Sequence, residues 1–259
     1  MMQMKQDPTR YKTLVDLSRM LLIFENEAGE RGVNEIARSL DILPSKASRM
    51  LKAMEVEGLA ERNPKTRKYR PGARFVTLGL QYLFTHPVRR IILPHVEQIS
   101  KELGMYVSWG VFAQGRVIIV DRATVAAGHT PHLIGSNLPL HSSSFGKLFL
   151  AYLPEDKQRQ VLQSIDYERF TPRTLTTLAA LRNELAATLA RGYAHDKEES
   201  RTGEEALAFP IFDESRSVCA ALTVLYAVPK SIDREKIISY LKEKATFISR
   251  QLGYSEVRA

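Results

Sequence analysis

In the first fifth of the chain the apolar positions recur at helical spacing and are interrupted twice, which predicts three short helices. The predicted helices cover residues 10–26, 33–39 and 44–57. Pro44 suits the first turn of the third helix, and Gly58 suits the position just after its end. Two short helices around a tight turn are typical of a helix-turn-helix, and the second of them here, at 44–57, has a polar and basic face.

After Gly58 the pattern changes to period two, which predicts two short strands. The strands flank a turn at Asn63 and Pro64, and the tip of the resulting hairpin is basic. A hairpin directly after a helix-turn-helix forms a wing. A further apolar helix at 72–84 then leads into the second half of the chain.

The second half mixes strand and helix patterns, as in an antiparallel α+β domain. Strands are predicted at 106–112, 116–121, 206–212 and 218–226, and helices at 154–164, 177–191 and 237–252. The predicted organisation therefore has three parts: an N-terminal winged helix-turn-helix at 1–71, a linker helix at 72–86 and a C-terminal domain at 87–259.

Positive charge is concentrated in one segment. The 259 residues include 37 Lys and Arg against 29 Asp and Glu, which gives a net charge of +8. Residues 45–74 hold nine of the basic and three of the acidic residues, so +6 of that charge lies in thirty positions. Because the segment is the predicted third helix and hairpin, the clustering points to a polyanion rather than to an ordinary solvated surface.

The polyanion that fits a helix-turn-helix is double-stranded DNA, since an α-helix enters the major groove with its first turn toward the base edges. The third helix is expected to contact bases or phosphates with Ser45, Lys46, Ser48 and Arg49, and a phosphate with Lys52. The hairpin is expected to reach phosphates or the minor groove with Lys65, Arg67 and Lys68.

Composition and motifs exclude several other classes of protein. The single cysteine, Cys219, cannot form an internal disulfide or a cysteine zinc site, which fits a cytoplasmic protein. No apolar run approaches the roughly 18 residues of a membrane span, and residues 1–10 lack the apolar core of a signal peptide. The chain has no nucleophile elbow, phosphate-binding loop or dinucleotide-binding glycines, so neither an enzyme nor a cofactor is expected.

Several segments together resemble one known family. They are Leu-Pro-Ser-Lys-Ala-Ser-Arg at 43–49, Tyr-Arg-Pro-Gly at 69–72, Pro-Leu-His-Ser-Ser-Ser-Phe-Gly-Lys at 139–147, Arg-Gly-Tyr-Ala-His-Asp-Lys-Glu-Glu at 191–199, and the strand pair 208–213 and 220–224. In this order, over about 11–253, the chain resembles the IclR family of bacterial transcriptional regulators. The resemblance implies a repressor or activator whose C-terminal domain is a GAF-like antiparallel sheet that binds a small-molecule effector.

The three serines at 142–144 open a helix, so its first backbone amides lack partners within the helix. Such a helix start is a natural anion site, and Ser143, Ser144 and Phe145 are expected to bind a ligand carboxylate. Simple capping of the helix by the serines is the alternative. The resemblance favours the ligand, because family members hold their effector at this helix start, and it implies further pocket positions at Asp196, Ala206, Thr223 and Leu225.

The residues at these positions predict a bulky, partly apolar effector. The chain has Phe145, Ala206 and Leu225 where family members that bind small oxo-acids have more small or polar residues. Asp196 would repel a carboxylate unless it faces a hydroxyl or another donor. The expected ligand is therefore a small organic acid with a hydroxyl, aromatic or of medium chain length. Trp109 and Tyr106 are candidates for the pocket wall, with plain core packing as the alternative.

The expected assembly is a homodimer or a dimer of dimers. The helix at 72–84 is apolar on more than one face, with Phe75, Leu78, Leu80, Tyr82 and Leu83. A helix of this kind between two domains suits contact with a second copy, although ordinary core packing would also explain it. A two-fold symmetric protein would match two half-sites in DNA.

A metal-responsive DNA-binding regulator is the alternative hypothesis. His129, His132 and His141 have a ligand-like spacing, and neutral imidazole suits zinc. Solvated histidines in an exposed loop explain the first two equally well.

Overall fold

The computed structural model describes residues 11–25, 29–123, 132–228 and 232–255, and the chain forms two compact units, Met1–Thr85 and His86–Ala259. The elements of the first unit are α1 (Lys12–Leu22), α2 (Val33–Leu40), α3 (Pro44–Val56), β1 (Ala60–Arg62), β2 (Tyr69–Pro71) and α4 (Arg74–Thr85). The antiparallel pair β1–β2 follows α3 directly, which confirms the winged helix-turn-helix.

The apolar stripes of α1, α2 and α3 meet in one core, in which Met20, Ile36 and Leu51 are fully buried. The chain turns from α2 to α3 at Asp41, which has a φ of 53°, and Leu43 is extended before Pro44 starts α3. Proline suits this position because its fixed φ is already helical and the missing N–H would have no partner there. The core and the turn together fix one face of α3 inward.

The second unit is an antiparallel sheet with helices on both faces. Its elements are α5 (Pro87–Leu103), β3 (Tyr106–Ala113), β4 (Arg116–Ala123), β5 (Asn137–Leu138), α6 (Ser144–Tyr152), α7 (Glu155–Ser164), α8 (Leu178–Arg191), β6 (Ala194–Lys197), β7 (Glu204–Phe212), β8 (Val218–Ala227) and α9 (Arg234–Gln251). The strand order is β5-β4-β3-β8-β7-β6, and every neighbouring pair is antiparallel. This α+β architecture confirms the predicted fold class.

Helix α6 is the central helix of the second unit. Its residues from Ser144 to Ala151 are all buried, since it packs on the sheet through Phe145, Leu148 and Phe149 and on α8 through Leu150 and Ala151. Helices α5 and α9 contact the sheet through β3, β4 and β7. The start of α6 therefore lies inside the protein, and every polar group there needs a partner.

Gly146 sets how closely α6 approaches the segment before it. A Cβ built at Gly146 would overlap the backbone of Leu140, whereas a Cβ at Gly79 in α4 meets nothing within 4 Å. We predict that Gly146→Ala lowers the free energy of unfolding by about 1–3 kcal/mol, the usual cost of overpacking. The matched change Gly79→Ala should not lower it, because alanine has the higher helix propensity and its Cβ meets no described atom of the same chain. Chemical denaturation measures both, and equal stability of the two variants would contradict the close approach.

Candidate functional site

Helix α3 presents a polar face opposite its buried one. Ser45, Arg49 and Lys52 are exposed, and Ser48 beside them is half-buried. Because residues three and four apart share a helix face, Ser45, Arg49 and Lys52 form one row along α3. Hydroxyl and basic side chains in such a row can reach base edges and phosphates in a major groove.

Lys46 lies on the flank of α3 and not in this row. Its Nζ donates to Oδ2 of Asp16 in α1 at 2.5 Å, with the Lys46 side chain 25% exposed and the Asp16 side chain 5% exposed. The expected DNA contact of Lys46 therefore competes with a partner inside the domain.

The wing turn is built by Asn63, as the sequence predicts. Its Oδ1 accepts the backbone N–H groups of Lys65 at 2.8 Å and Thr66 at 3.3 Å, and Arg67 then takes a φ of 58°. Lys65 and Arg67 are exposed at the tip. Glu30 anchors the turn by accepting from the side chains of Thr66 and Asn63, and these hydrogen bonds lower the pKa of Glu30.

Lys68, the third basic residue expected on the wing, points back toward α2. Its Nζ lies 3.2 Å from Oε1 of Glu35, and both side chains are close to half exposed. An ion pair this exposed contributes little to stability, so a phosphate can replace Glu35 as the partner of Lys68.

A cavity of about 250 Å³ lies between the start of α6 and one face of the sheet. It brings together seven of the eight residues predicted to bind an effector: Ser143, Ser144, Phe145, Asp196, Ala206, Thr223 and Leu225. Sequence reasoning named Tyr106 only as a possible wall and missed the other residues that line it: Ser108, His132, Leu138, Pro139, Phe170, Ser200, Arg201, Glu204 and Glu205.

On the helix side of the cavity, α6 begins with a first turn that is capped by Ser143 but keeps two free amides. The Ser143 hydroxyl accepts the N–H of Gly146 at 3.0 Å and donates to the carbonyl of Pro139 at 2.6 Å. Ser143 therefore caps α6, which is the role that the alternative to ligand binding gives to the serines. The amides of Ser144 and Phe145 have no hydrogen-bond acceptor among the described residues. Two backbone donors and the helix dipole thus remain available to an anion.

On the sheet side of the cavity, two hydroxyl side chains lie side by side. Ser108 on β3 is the direct cross-strand neighbour of Thr223 on β8, and both residues are buried. By distance and angle, neither Ser108 Oγ nor Thr223 Oγ1 makes a hydrogen bond within the described part of the chain, although Ser108 lies beside the Tyr106 phenol. Since a buried hydroxyl without a partner costs about 1–3 kcal/mol, these two atoms mark a place where a polar ligand group fits.

Asp196, the third residue of β6, also lines the cavity. Its Oδ1 accepts the backbone N–H groups of Glu199 at 2.7 Å and Ser200 at 3.3 Å, and burial raises the pKa of Asp196. The fully buried Lys147 of α6 donates through Nζ to the carbonyl of His195 and to Oε1 of Glu199, each at 2.5 Å. This contact ties the helix on one side of the cavity to the turn on the other.

Trp109, the eighth residue predicted for the pocket, does not line it. Successive strand residues point to opposite faces, so Trp109 lies on the face away from Ser108. Its ring packs against His86, with the ring centroids 5.8 Å apart. Tyr106, on the same face as Ser108, is the aromatic residue of β3 that reaches the cavity.

The metal alternative gains no support. His129 lies outside the described residues, and within them no three His, Cys, Asp or Glu side chains come close enough to hold a metal ion. Nε2 of His141 lies 2.8 Å from the carbonyl of Glu168, and its ring stacks on Phe170.

Among the helices of the described ranges, none combines the length and the apolar character that crossing a membrane requires.

Comparison with known proteins matches both units. The family described as IclR helix-turn-helix domain matches residues 17–64, and the one described as bacterial transcriptional regulator IclR C-terminal matches residues 80–252. The glycerol operon regulatory protein of Streptomyces griseus is 32% identical over 232 residues, which cover 87% of this chain and 91% of that protein. The transcriptional repressor IclR of Escherichia coli is 30% identical over 225 residues, covering 84% and 81% of the two chains.

Solved structures agree. An IclR homologue from Microbacterium hydrocarbonoxydans, crystallised with 4-hydroxybenzoate, is 26% identical and superposes with a TM-score of 0.75 over 94% of this chain and all of that one. Because the two family matches cover the DNA-reading helices and nearly the whole second unit, the chain belongs to the IclR family and is a DNA-binding transcriptional regulator.

Proposed function

We propose that this regulator is controlled by a small aromatic acid that carries a second polar group and binds in the cavity between α6 and the sheet. The observation that carries the proposal is that two sets of unused hydrogen-bonding groups line one cavity: the amides of Ser144 and Phe145 on α6, and the hydroxyls of Ser108 and Thr223 on the sheet.

The size and the walls of the cavity support a ring-sized ligand. Its volume of about 250 Å³ lies just below the roughly 300–1,000 Å³ of pockets for drug-sized ligands. The lining also includes the apolar side chains of Phe145, Phe170 and Leu225. The IclR homologue crystallised with 4-hydroxybenzoate shares the fold and makes that acid a suitable probe.

The electrostatics favour one orientation. A carboxylate fits the start of α6, where two amides and the positive end of the helix dipole meet. Near Asp196 a carboxylate would be repelled, whereas a ligand hydroxyl could donate to it. The hydroxyl end of the ligand therefore belongs at Ser108 and Thr223, and the acid end at Ser144 and Phe145.

We propose that Ser45, Ser48 and Arg49 on α3 contact bases or phosphates, and that Lys52 contacts a phosphate. On the wing, phosphate contacts are proposed for Lys65, Arg67 and Lys68. All are exposed or half-exposed on the basic surface of the first unit. Effector binding can change DNA affinity only if the ligand prefers one of two arrangements of the protein, typically by about 1–3 kcal/mol.

A second copy of the chain is the partner proposed for α4. This helix has no buried residue among its twelve, and Val76, Leu78 and Leu80 on it are exposed. Apolar side chains repeated along one helix suit packing against an identical helix, as in a homodimer or a dimer of dimers on paired half-sites.

The first prediction concerns the hydroxyl pair. Thr223→Val and Ser108→Ala should each weaken binding of 4-hydroxybenzoate by about 1 kcal/mol or more, roughly fivefold, and leave benzoate binding unchanged, because benzoate lacks the hydroxyl that they would bond. Titration calorimetry on the full chain measures both ligands.

Stability gives the matched control. Neither variant should lower the free energy of unfolding, since the two hydroxyls have no hydrogen-bond partner among the described residues. Ser100→Ala should lower it and leave ligand binding intact, because the Ser100 hydroxyl is buried and donates to the carbonyl of Met105 at 2.7 Å. Equal loss of both ligands in Thr223→Val would rule out a separate hydroxyl site, and no binding across a panel of aromatic acids would refute the effector class.

The second prediction separates the two units. Arg49→Ala should weaken binding to a duplex selected by the unaltered protein from a random pool by about 1–3 kcal/mol, because a bidentate base contact has that value. Effector affinity should not change. Lys157→Ala, on α7 of the other unit, is the charge-matched control and should leave both activities intact; impairment of both activities in folded Arg49→Ala protein would contradict the division of labour.

A further inference from the structure

The lysines of the DNA-binding unit differ in whether they form an ion pair and in how deeply the partner is buried. Lys52 on α3 and Lys65 on the wing are exposed, and neither forms an ion pair with any described residue. Lys68 has a half-exposed partner in Glu35. Lys46 is the exception, because its partner Asp16 is almost entirely buried.

The burial of Asp16 makes the pair hard to exchange. Asp16 lies four residues before Met20, which is fully buried, so the carboxylate sits on the inward face of α1 beside the core. A carboxylate removed from water is strongly destabilising unless it stays paired, and Lys46 is the cation that pairs it. A phosphate that took Lys46 away would leave that charge alone inside the domain.

The position of Lys46 on α3 agrees with this. Lys46 lies four residues before the buried Met50, on the flank of the helix that faces α1, and directly before the buried Ala47. The exposed row of Ser45, Arg49 and Lys52 runs along a different side. The ion pair thus connects the start of α3 to a helix thirty residues earlier in the chain.

We infer that Lys46 is a positioning residue and not a DNA contact: with Asp16 it fixes the first turn of α3 against α1, so that Ser45 and Arg49 point outward at the correct angle. Lys52, two turns along the same helix, contacts phosphate.

The two roles differ in how DNA affinity depends on salt. Each lysine that neutralises a phosphate releases condensed counterions and adds about 0.9 to the slope of log K against log salt concentration. A lysine that only positions the helix adds nothing to that slope, whatever its effect on affinity.

The experiment measures this slope for the full chain and its variants on one 30-bp duplex, selected by the unaltered protein from a random-sequence pool. Lys52→Met should reduce the slope by about 0.9. Lys46→Met should weaken binding by about three- to tenfold at every salt concentration and leave the slope unchanged. A slope reduced by about 0.9 in Lys46→Met would overturn the inference, because it would place Lys46 on a phosphate.

Substitution of Asp16 supplies a second test, because the two possible roles of Lys46 predict opposite changes in DNA affinity. If the pair positions α3, Asp16→Asn weakens DNA binding like Lys46→Met, and the double variant Asp16→Asn/Lys46→Met is no worse than either single one. If Asp16 merely restrains a DNA-contacting lysine, Asp16→Asn releases Lys46 and tightens binding, which would contradict the inference.

Folding is controlled by a variant that removes both charges. Asp16→Leu/Lys46→Met replaces the ion pair with apolar side chains and is expected to fold, as circular dichroism would verify, because no unpaired buried charge remains. Its slope should equal that of the unaltered protein. A lower slope in this folded variant would also refute the positioning role.

Discussion

A helix that begins inside a protein leaves backbone amides that no residue of the helix can accept, and the second unit of this regulator depends on how that constraint is met. Helix α6 is buried along its length between the sheet and α8, so its first turn cannot turn to solvent. Ser143 accepts one amide, and the amides of Ser144 and Phe145 remain open toward a cavity. The close approach at Gly146 and the buried Lys147 hold this helix start in place. The anionic ligand proposed above would accept hydrogen bonds from these two amides.

In the first unit, the groups available to a ligand are likewise those without a partner in the fold, and here they are basic side chains. Among the described residues, its basic side chains divide into those paired with a carboxylate of the domain, which include Lys46, Lys68, Arg70 and Arg74, and exposed ones such as Arg49, Lys52 and Lys65. Burial of the carboxylate decides how firmly each is held, since Asp16 is buried and Glu35 is not. A count of basic residues in the sequence therefore overstates the number that can reach DNA.

Local patterns predicted most of the fold. Helical spacing located α1, α2, α3 and α9, the period-two runs located the wing and the hairpin β7–β8, and Asn63 located the wing turn. The remaining features depend on contacts between residues far apart in the chain, which local patterns do not show. Both faces of β3 are buried, so alternation could not tell whether Tyr106 and Ser108 or Trp109 face the cavity. The pairing of Lys46 joins residues thirty positions apart, and four-residue β6 is too short to show a period. The open amides at the start of α6 were predictable because they depend only on where the helix begins.

The most direct test of the account is a titration of isotope-labelled protein with 4-hydroxybenzoate, followed through the backbone amide resonances of Ser144 and Phe145. If the carboxylate binds as proposed, these two amide protons shift downfield and saturate with the ligand, as expected for new hydrogen bonds, with smaller changes along the rest of α6. Saturable binding that leaves both resonances unmoved would contradict the account.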